Sequence, residues 1–188
     1  MPFPRFVVAS ALLCAIFVPS ASERLGAGGT QASSGAPAQT PEPPPPPPSC
    51  PVTRRPEKPF VPPAPYPATP GERSFWLGSE RLWTIVIDEG TWGWVRRGTR
   101  GIQLTQKLFW FRQGYDYRTR QERALRVTGR RLDGPAPPAD IGPPTNGYTD
   151  VWFMVVGIYL PEPGCWEITG DYEGNKVTYV VWVFPVKD

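Results

Sequence analysis

The distribution of proline divides the chain into a part that cannot build a core and a part that can. Residues 37–70 hold 16 of the 27 prolines, and the run Pro43–Pro48 is predicted to adopt the stiff polyproline II conformation. Gly, Ala, Ser and Thr dominate the stretch before this run and favour a flexible segment. We therefore expect a spacer over residues 23–49, an extended arm over residues 50–74, and a folded domain over residues 75–188.

The N-terminal segment has the pattern of an export signal. Arg5 precedes the apolar run Phe6–Val18, which is shorter than the roughly 20 residues that cross a bilayer as a helix. We predict a signal peptide over residues 1–22, no membrane span in the mature chain, and a secreted or periplasmic location. Cys14 leaves a cell-envelope lipoprotein open, but Leu13 stands where such signals carry a small residue, so this alternative is disfavoured.

Short runs of β-branched and aromatic residues, separated by Gly, Pro, Asn and Asp, follow Phe75. This pattern is typical of an all-β domain. Seven strands in about 110 residues predict an immunoglobulin-like antiparallel β-sandwich. Two turns, Asp88–Gly90 and Gly174–Asn175, are predicted to join the first pair and the last pair of strands as hairpins. The predicted strands are Arg81–Ile87, Thr91–Arg97, Gln103–Arg112, Ala124–Leu132, Val151–Leu160, Cys165–Tyr172 and Val177–Phe184.

The absence of histidine narrows the chemistry that the chain can perform. It excludes Ser/His/Asp and Cys/His nucleophile systems, imidazole zinc sites and histidine-ligated haem. The remaining catalytic candidates are carboxylate pairs in a glycan-cleaving enzyme, Asp88 with Glu89 or Asp171 with Glu173. Both pairs lie at predicted turns, where carboxylates normally serve turn geometry. We therefore expect no catalytic residue, no cofactor and no metal site.

Cys50 and Cys165 are the cysteines that remain after signal cleavage. An exported protein meets an oxidising environment, so we predict a disulfide bond between them. Because side chains alternate along a strand, Trp166 and Ile168 share one face and Cys165 lies on the other. The bond is therefore expected on the outer side of the sandwich, where it ties the arm to the domain.

Two predicted strands, Val151–Leu160 and Val177–Phe184, are apolar on both faces. A strand of a two-layer sandwich needs only one apolar face, so something is expected to cover the outer one. We favour the arm over a partner chain, because the predicted disulfide already places the arm there. The covering side chains are expected to be Phe60, Val61, Tyr66, Phe75 and Trp76.

Trp92 and Trp94 lie two residues apart in a predicted strand and hence on one face, about 7 Å apart. This spacing can stack successive sugar rings, and Trp110 and Trp152 add to the candidates. Carbohydrate binding by exposed tryptophans is therefore an alternative function. Aromatic side chains in a small domain more often belong to the core, so burial is the expectation for the pair.

Positive charge is concentrated in one part of the chain. Residues 96–131 hold 11 Arg or Lys against two carboxylates, whereas the whole chain has a net charge of +3. Such a band attracts anionic polymers, and its candidate residues are Arg96, Arg97, Arg100, Arg112, Arg126, Arg130 and Arg131. Nucleic acid is not expected as a physiological partner, since the chain is predicted to be exported and lacks a recognition motif.

Four sequence blocks stand out: Ser49–Thr53, Leu82–Thr84, Thr128–Pro138 with its Arg-Leu-Asp-Gly, and Pro163–Gly170 with its Gly-Cys-Trp-Glu-Ile-Thr-Gly. Together they resemble one family of uncharacterised secreted bacterial proteins, over about residues 49–184. The resemblance implies a small exported β-domain that begins at a Cys-Pro-Val-Thr motif, and it implies no catalytic residue. Together with the charge, it favours a non-catalytic, exported binding or structural module that contacts an anionic envelope polymer or a protein, in an oligomeric state left open.

Overall fold

A computed structural model describes residues 42–98, 101, 104–118 and 124–186. The predicted signal peptide, residues 1–22, and most of the predicted spacer lie outside the described residues. Within the described ranges, no helix is long and apolar enough to cross a membrane.

The described residues form an all-β domain of ten strands. A short 3-10 turn, Ile87–Gly90, separates the second strand from the third. The strands are β1 Phe75–Ser79, β2 Leu82–Val86, β3 Thr91–Trp94, β4 Gln106–Phe111, β5 Leu125–Arg131, β6 Asp140–Ile141, β7 Thr145–Tyr148, β8 Trp152–Tyr159, β9 Gly164–Tyr172 and β10 Asn175–Pro185.

The strands form two sheets that pack as a sandwich. The first sheet has the order β1-β2-β4-β8-β6, with β7 also paired to β8, and the second has the order β3-β10-β9-β5. Taken in chain order, β2, β4, β8 and β6 occupy the A, B, E and D positions of an immunoglobulin-type sandwich, while β5, β9 and β10 occupy C, F and G. The prediction of an immunoglobulin-like sandwich is therefore confirmed, with one parallel pair, β3 with β10.

The seven predicted strands are all present, with ends shifted by up to three residues. The prediction missed β1, β6 and β7. The two residues of β6 carry too little pattern to be recognised. The sequence Thr-Asn-Gly-Tyr of β7 has weak strand propensity, and it forms a strand because it pairs with β8 from Thr145↔Val155 to Tyr148↔Trp152.

The predicted hairpin at Asp88–Gly90 is wrong. The backbone takes positive φ at Asp88, Glu89 and Gly90, and this turn carries the chain from β2 in the first sheet to β3 in the second. The reason is that β3 pairs with β10 instead of with β2, and Thr91 lies opposite Trp182 in this pair. The last hairpin is confirmed, since β9 and β10 are antiparallel neighbours.

The core lies between the two sheets and is filled by large aromatic side chains. Trp110 of β4 is fully buried, and its ring reaches across to Gly170 of β9, where an added Cβ would lie 2.3 Å from two ring atoms. Gly170 therefore makes room for the indole that links the two sheets. The other large buried residues of this core include Trp92, Trp166, Tyr172 and Tyr179.

The predicted disulfide is confirmed. Cys50 and Cys165 are joined with a Cα–Cα distance of 5.6 Å, and both are buried outside the main core with Val52 and with the partly buried Val180 and Trp182. The arm also donates from the backbone N–H of Thr53 to the Val180 carbonyl oxygen at 3.0 Å. The start of the arm thus covers the outer face of β10, as predicted.

The rest of the arm takes a different path from the predicted one. Phe60 and Tyr66 pack on the outer face of the first sheet, with ring centroids 5.6 and 5.1 Å from that of Trp83. Phe75 belongs to the main core and Trp76 to the Trp83 cluster, while Val61 is 56% exposed. The prediction that these five side chains cover β10 is therefore wrong, whereas the cover predicted for Val151–Leu160 is found in part, because Phe60, Tyr66 and Trp76 share a cluster with Phe153 of β8.

Candidate functional site

The arginines predicted to bind an anion do not form one continuous surface. Arg96 and Arg97 follow β3 at one end of the sandwich, whereas Arg112 follows β4 at the end that carries the β9–β10 turn. Arg126, Arg130 and Arg131 lie along β5, at the edge of the second sheet. Arg100 lies outside the described residues.

Most of the described arginines in this set are paired with carboxylates. Surface ion pairs of this kind contribute little to stability, but they neutralise the positive charge locally. Each partner carboxylate comes from a part of the chain after residue 131, which is why the net charge of residues 96–131 overstated the charge of the surface. The pairs are Arg97–Asp140 at 2.7 Å, Arg112–Glu173 at 3.2 Å, Arg130–Glu167 at 2.9 Å, and Arg131 with Asp133 at 2.7 Å and with Glu162.

The sequence blocks at Thr128–Pro138 and Pro163–Gly170 meet beside the disulfide. The Leu132 N–H donates to the Cys165 carbonyl oxygen at 2.8 Å, and Leu132 packs against the disulfide cluster. Gly164 has φ of 149°, and a Cβ there would lie 2.7 Å from Arg131 Nε. These blocks therefore have a structural explanation, the fixing of β5 against β9, without any ligand.

Asp133 is expected to stabilise this junction in its ionised form. Burial works to raise the pKa of Asp133, but hydrogen bonds from Arg131 and from the Cys165 backbone outweigh it and hold the pKa below its usual value. Because the folded-state pKa is lowered, the stabilisation is present above about pH 4 and is lost as the pH falls through the folded-state value.

We expect Asp133→Asn to lower the free energy of unfolding by about 1 kcal/mol at neutral pH, with the deficit vanishing in acid. Chemical unfolding of the wild type and the variant across pH checks this. Glu57→Gln, at an exposed carboxylate of the arm, is the control. A deficit that stays constant down to acidic pH would contradict the role of the ionised carboxylate.

Trp92 and Trp94 do not form an exposed platform. Trp92 is 2% exposed and its indole N–H donates to the Ile87 carbonyl oxygen at 3.1 Å. Trp94 is half-buried against the core, and its N–H donates to the Leu160 carbonyl oxygen at 2.7 Å. This corrects the alternative of sugar stacking on the pair, because both indoles point into the sandwich and already have hydrogen-bond partners there.

The candidate catalytic carboxylates lie in or beside turns. Asp88 and Glu89 are exposed in the 3-10 turn. Asp171 accepts a hydrogen bond from the Gly174 N–H at 2.9 Å, while Glu173 pairs with Arg112. Among the residues that the structure describes, no group of three or more Cys, Asp or Glu is arranged to hold a metal ion.

Three aromatic side chains come together at one end of the sandwich and form what we call the aromatic cluster: Tyr117, Tyr148 and Trp152. The ring of Trp152 contacts both others, with centroid distances of 4.3 Å to Tyr117 and 4.5 Å to Tyr148. Tyr117 is 38% exposed and Tyr148 is 59% exposed. The cluster is therefore a fixed group of rings that faces solvent.

The fold explains why these rings meet. Tyr148 and Trp152 are cross-strand partners at the end of the β7–β8 hairpin, so they share one face. Tyr117 comes from the loop after β4. This loop is held by Tyr115, whose hydroxyl donates to Asn146 Oδ1 at 2.5 Å.

A cleft of about 250 Å³ opens beside the aromatic cluster. It is lined by the arm at Pro63–Tyr66, by the loop at Gln113–Asp116, and by Val151 and Trp152. The end of the sandwich that carries the β9–β10 turn also has a depression of about 540 Å³. Its lining is charged or amide-bearing and includes the Arg112–Glu173 pair. The smaller cleft is therefore the one that offers aromatic surface to a ligand.

Asp116 is the charged group of the cleft. Its carboxylate accepts hydrogen bonds from the Arg118 backbone N–H and from Arg118 Nε, each at 2.9 Å. These bonds hold the pKa of Asp116 below its usual value and raise the pKa of Arg118. The carboxylate is thus ionised and fixed in direction, and Arg118 also lies 5.9 Å from the Trp152 ring centroid.

Sequence reasoning included Trp152 among the aromatic candidates but missed Tyr117 and Tyr148. The missing signal was strand β7, since only its pairing with β8 places Tyr148 beside Trp152. No protein-family model matches the chain, and no curated protein or solved structure matches it. Its function is therefore inferred from the geometry of its own residues.

Proposed function

We propose that the chain is a non-catalytic, exported binding module and that the aromatic cluster, with its cleft, is the surface that binds the partner. Export is supported by the Cys50–Cys165 bond, which is buried and of a kind that persists in oxidising compartments. A non-catalytic role is supported by Asp171 and Glu173, which are engaged in turn geometry and ion pairing.

The observation that carries the proposal is the exposure of Tyr117 and Tyr148 around Trp152. Rings that pack on one another lose little conformational freedom when a partner binds. Tyr, Trp and Arg are also the residue types that dominate binding energy at interfaces, and Arg118 adjoins the rings. The loops at this end of an immunoglobulin-type sandwich are well placed for recognition, because they project from a rigid scaffold.

A second candidate is the binding of an anionic envelope polymer along β5. Arg126 and Arg130 are exposed and alternate with buried positions, so they project from the same face of the strand. They stand level with Asp171 and Glu167 of β9, and these carboxylates offset part of the charge. This candidate therefore ranks below the aromatic cluster.

Replacing Tyr117 and Tyr148 together with alanine is expected to weaken retention of the purified protein on insoluble cell-envelope material by at least about tenfold, since interface aromatics each contribute more than about 1 kcal/mol. The matched control replaces Leu104 and Val186, two exposed apolar residues elsewhere on the domain, with alanine. Circular dichroism and thermal unfolding establish that both variants fold. Unchanged retention of the folded tyrosine variant would refute the proposed surface.

A further inference from the structure

We propose that the outer edge of β5 binds an extended, acidic segment of a partner protein, which adds a strand to the second sheet. This inference goes beyond the proposed function and does not depend on it. Strand β5 belongs to the second sheet, whereas Tyr148 and Trp152 of the aromatic cluster lie on β7 and β8 of the first. Addition of a strand to a free sheet edge is a common way to bind an extended segment.

Strand β5 offers the longest free edge in the part of the chain that the structure describes. The other strands at the sheet edges are β1, β3, β6 and β7, with five, four, two and four residues against the seven of β5. Short edge strands are one of the ways in which proteins avoid unwanted pairing. β5 is therefore the edge with the most backbone groups available to another strand.

The register of β5 shows which backbone groups face this edge. The Leu132 N–H donates to the Cys165 carbonyl oxygen at 2.8 Å, so every second residue counted back from Leu132 directs its N–H and C=O toward β9. The backbone groups of the residues between them, Val127, Gly129 and Arg131, face away from β9. Among the described strands, none pairs with that side of β5. An unpaired row of this kind is a template for another strand.

The outer face of the second sheet carries rows of matched side chains that run across the strands. Each cation of β5 stands opposite a carboxylate of β9, and the row between them is threonine in all three strands, with the Thr169 and Thr178 hydroxyl oxygens 2.9 Å apart. Opposite charges and threonine pairs on neighbouring strands stabilise their pairing. From β5 to β10, the rows are Arg126–Asp171–Lys176, Thr128–Thr169–Thr178 and Arg130–Glu167–Val180.

A strand added to the free edge would continue these rows. They end at β5 with a cation, a threonine and a cation, so the complementary strand carries a carboxylate, a hydroxyl and a carboxylate at every second position. β9 has this pattern on its outer face, in Glu167, Thr169 and Asp171. The intervening positions face inward, and a small residue suits the one opposite Gly129, where an added Cβ would already lie 2.9 Å from the Ala139 Cβ.

The two arginines keep the capacity to bind a further carboxylate. Asp171 stands level with both Arg126 and Lys176, so this row carries one more positive than negative charge. Arg130 donates to Glu167 through Nε and Nη2, which leaves the donors of its Nη1, and its side chain is 70% exposed. An acidic strand at the edge would supply the partner charge for both rows.

A second copy of this chain does not fit the edge. Full antiparallel alignment of two β5 strands would place Arg126 of one copy opposite Arg130 of the other, and like charges directly opposite each other destabilise a strand pair. Charged side chains on edge strands prevent such self-pairing. The same charges favour a strand of opposite sign, so the edge selects its partner by charge.

The test uses the full oxidised chain and, as the probe, the blocked peptide Val-Glu-Ala-Thr-Val-Glu-Val, which follows the complementary pattern in antiparallel register. We expect saturating peptide to slow amide hydrogen exchange at Val127 and Gly129 by at least about tenfold. Arg126→Ala with Arg130→Ala is expected to weaken peptide binding by about fivefold. The matched control, Arg54→Ala with Arg96→Ala, removes two exposed arginines elsewhere and is expected to leave binding unchanged.

Methylation of the peptide backbone separates strand pairing from charge attraction. N-methyl groups on the Ala and on the Val that follows Thr, whose N–H groups would face β5, are expected to abolish binding. N-methyl groups on the two Glu, whose N–H groups would face away, are expected to leave it. Equal binding of the two methylated peptides would overturn the inference, and so would displacement of the peptide by polyphosphate in both the wild type and the arginine variant.

The remaining outcomes also decide. Absence of peptide binding, or protection at β1 or β3 instead of β5, overturns the inference. A wild-type dimer in which Val127 and Gly129 are already protected overturns it in favour of a second copy. The variant Tyr117→Ala with Tyr148→Ala is expected to bind the peptide like the wild type, so failure of the proposed function at the aromatic cluster and failure of this inference are read out separately.

Discussion

Replacing Cys50 and Cys165 together with alanine is expected to lower the free energy of unfolding by about 4–5 kcal/mol. The two cysteines are 115 residues apart in the sequence, and a cross-link over that distance removes a large loop-closure entropy from the unfolded chain. Domains of this size are stable by only about 5–15 kcal/mol. The variant is therefore expected to be close to its stability threshold.

Urea unfolding of the oxidised wild type, the reduced wild type and the alanine variant measures the effect. Val52→Ala is the control, because it trims an arm side chain that packs beside the bond and leaves the covalent link intact. It is expected to cost about 1–2 kcal/mol. A loss below about 1 kcal/mol in the alanine variant would contradict the role of the bond in holding the arm on the sandwich.

Gly170→Ala is expected to destabilise the domain by about 3 kcal/mol, although it adds only one methyl group. The new Cβ would lie 2.3 Å from two atoms of the Trp110 ring, which is far inside contact distance. Strand β4, which carries Trp110, and strand β9, which carries Gly170, belong to opposite sheets. Relief of the clash therefore requires the sheets to separate or the indole to leave its position. Trp110→Ala removes the buried ring and is expected to cost about 4 kcal/mol.

A double-mutant cycle separates crowding from backbone effects. In a Trp110→Leu background, Gly170→Ala is expected to cost much less than in the wild type, because the smaller side chain leaves room for the methyl group. Gly134→Ala is the matched control, since a Cβ there meets nothing within 4 Å. Equal costs of Gly170→Ala in both backgrounds would show that Trp110 is not the reason for glycine at this position.

The sandwich was predictable because side-chain alternation along a strand records which face is buried. Trp166 and Ile168 point into the main core, so alternation along the strand predicts that the side chain of Cys165 points outward. The structure places Cys165 in the outer cluster with Cys50. The same alternation in β10 correctly indicated a covered outer face. Local patterns of period two thus carry information about both layers of packing.

The path of the arm was not predictable from such patterns. A proline-rich stretch has no hydrogen-bond ladder and hence no period, so nothing in its sequence tells which sheet Phe60 and Tyr66 cover. Their location depends on Trp83 and Phe111 of the first sheet, which are remote in sequence. The cleft between arm and loop could therefore be found only in three dimensions.

The arginine-rich segment shows a related limit. Its net charge was counted along the chain, but Arg112 and Arg130 meet Glu173 and Glu167, which lie 61 and 37 residues further on. A charge excess counted along the chain does not give the surface potential, because the carboxylates that come from distant strands must be included as well. The aromatic cluster was hidden for the same reason, since Tyr117 lies in the loop after β4 and Trp152 lies at the start of β8.

The measurement that most directly tests the binding surface compares two folded variants at low and high salt, Tyr117→Ala with Tyr148→Ala and Arg126→Ala with Arg130→Ala. Retention on cell-envelope material is the readout. We expect the tyrosine variant to lose retention at both salt concentrations and the arginine variant to keep it, because packing contacts of aromatic rings are not screened by salt. Retention that is lost in the arginine variant, falls steeply with salt and survives in the tyrosine variant would contradict this account.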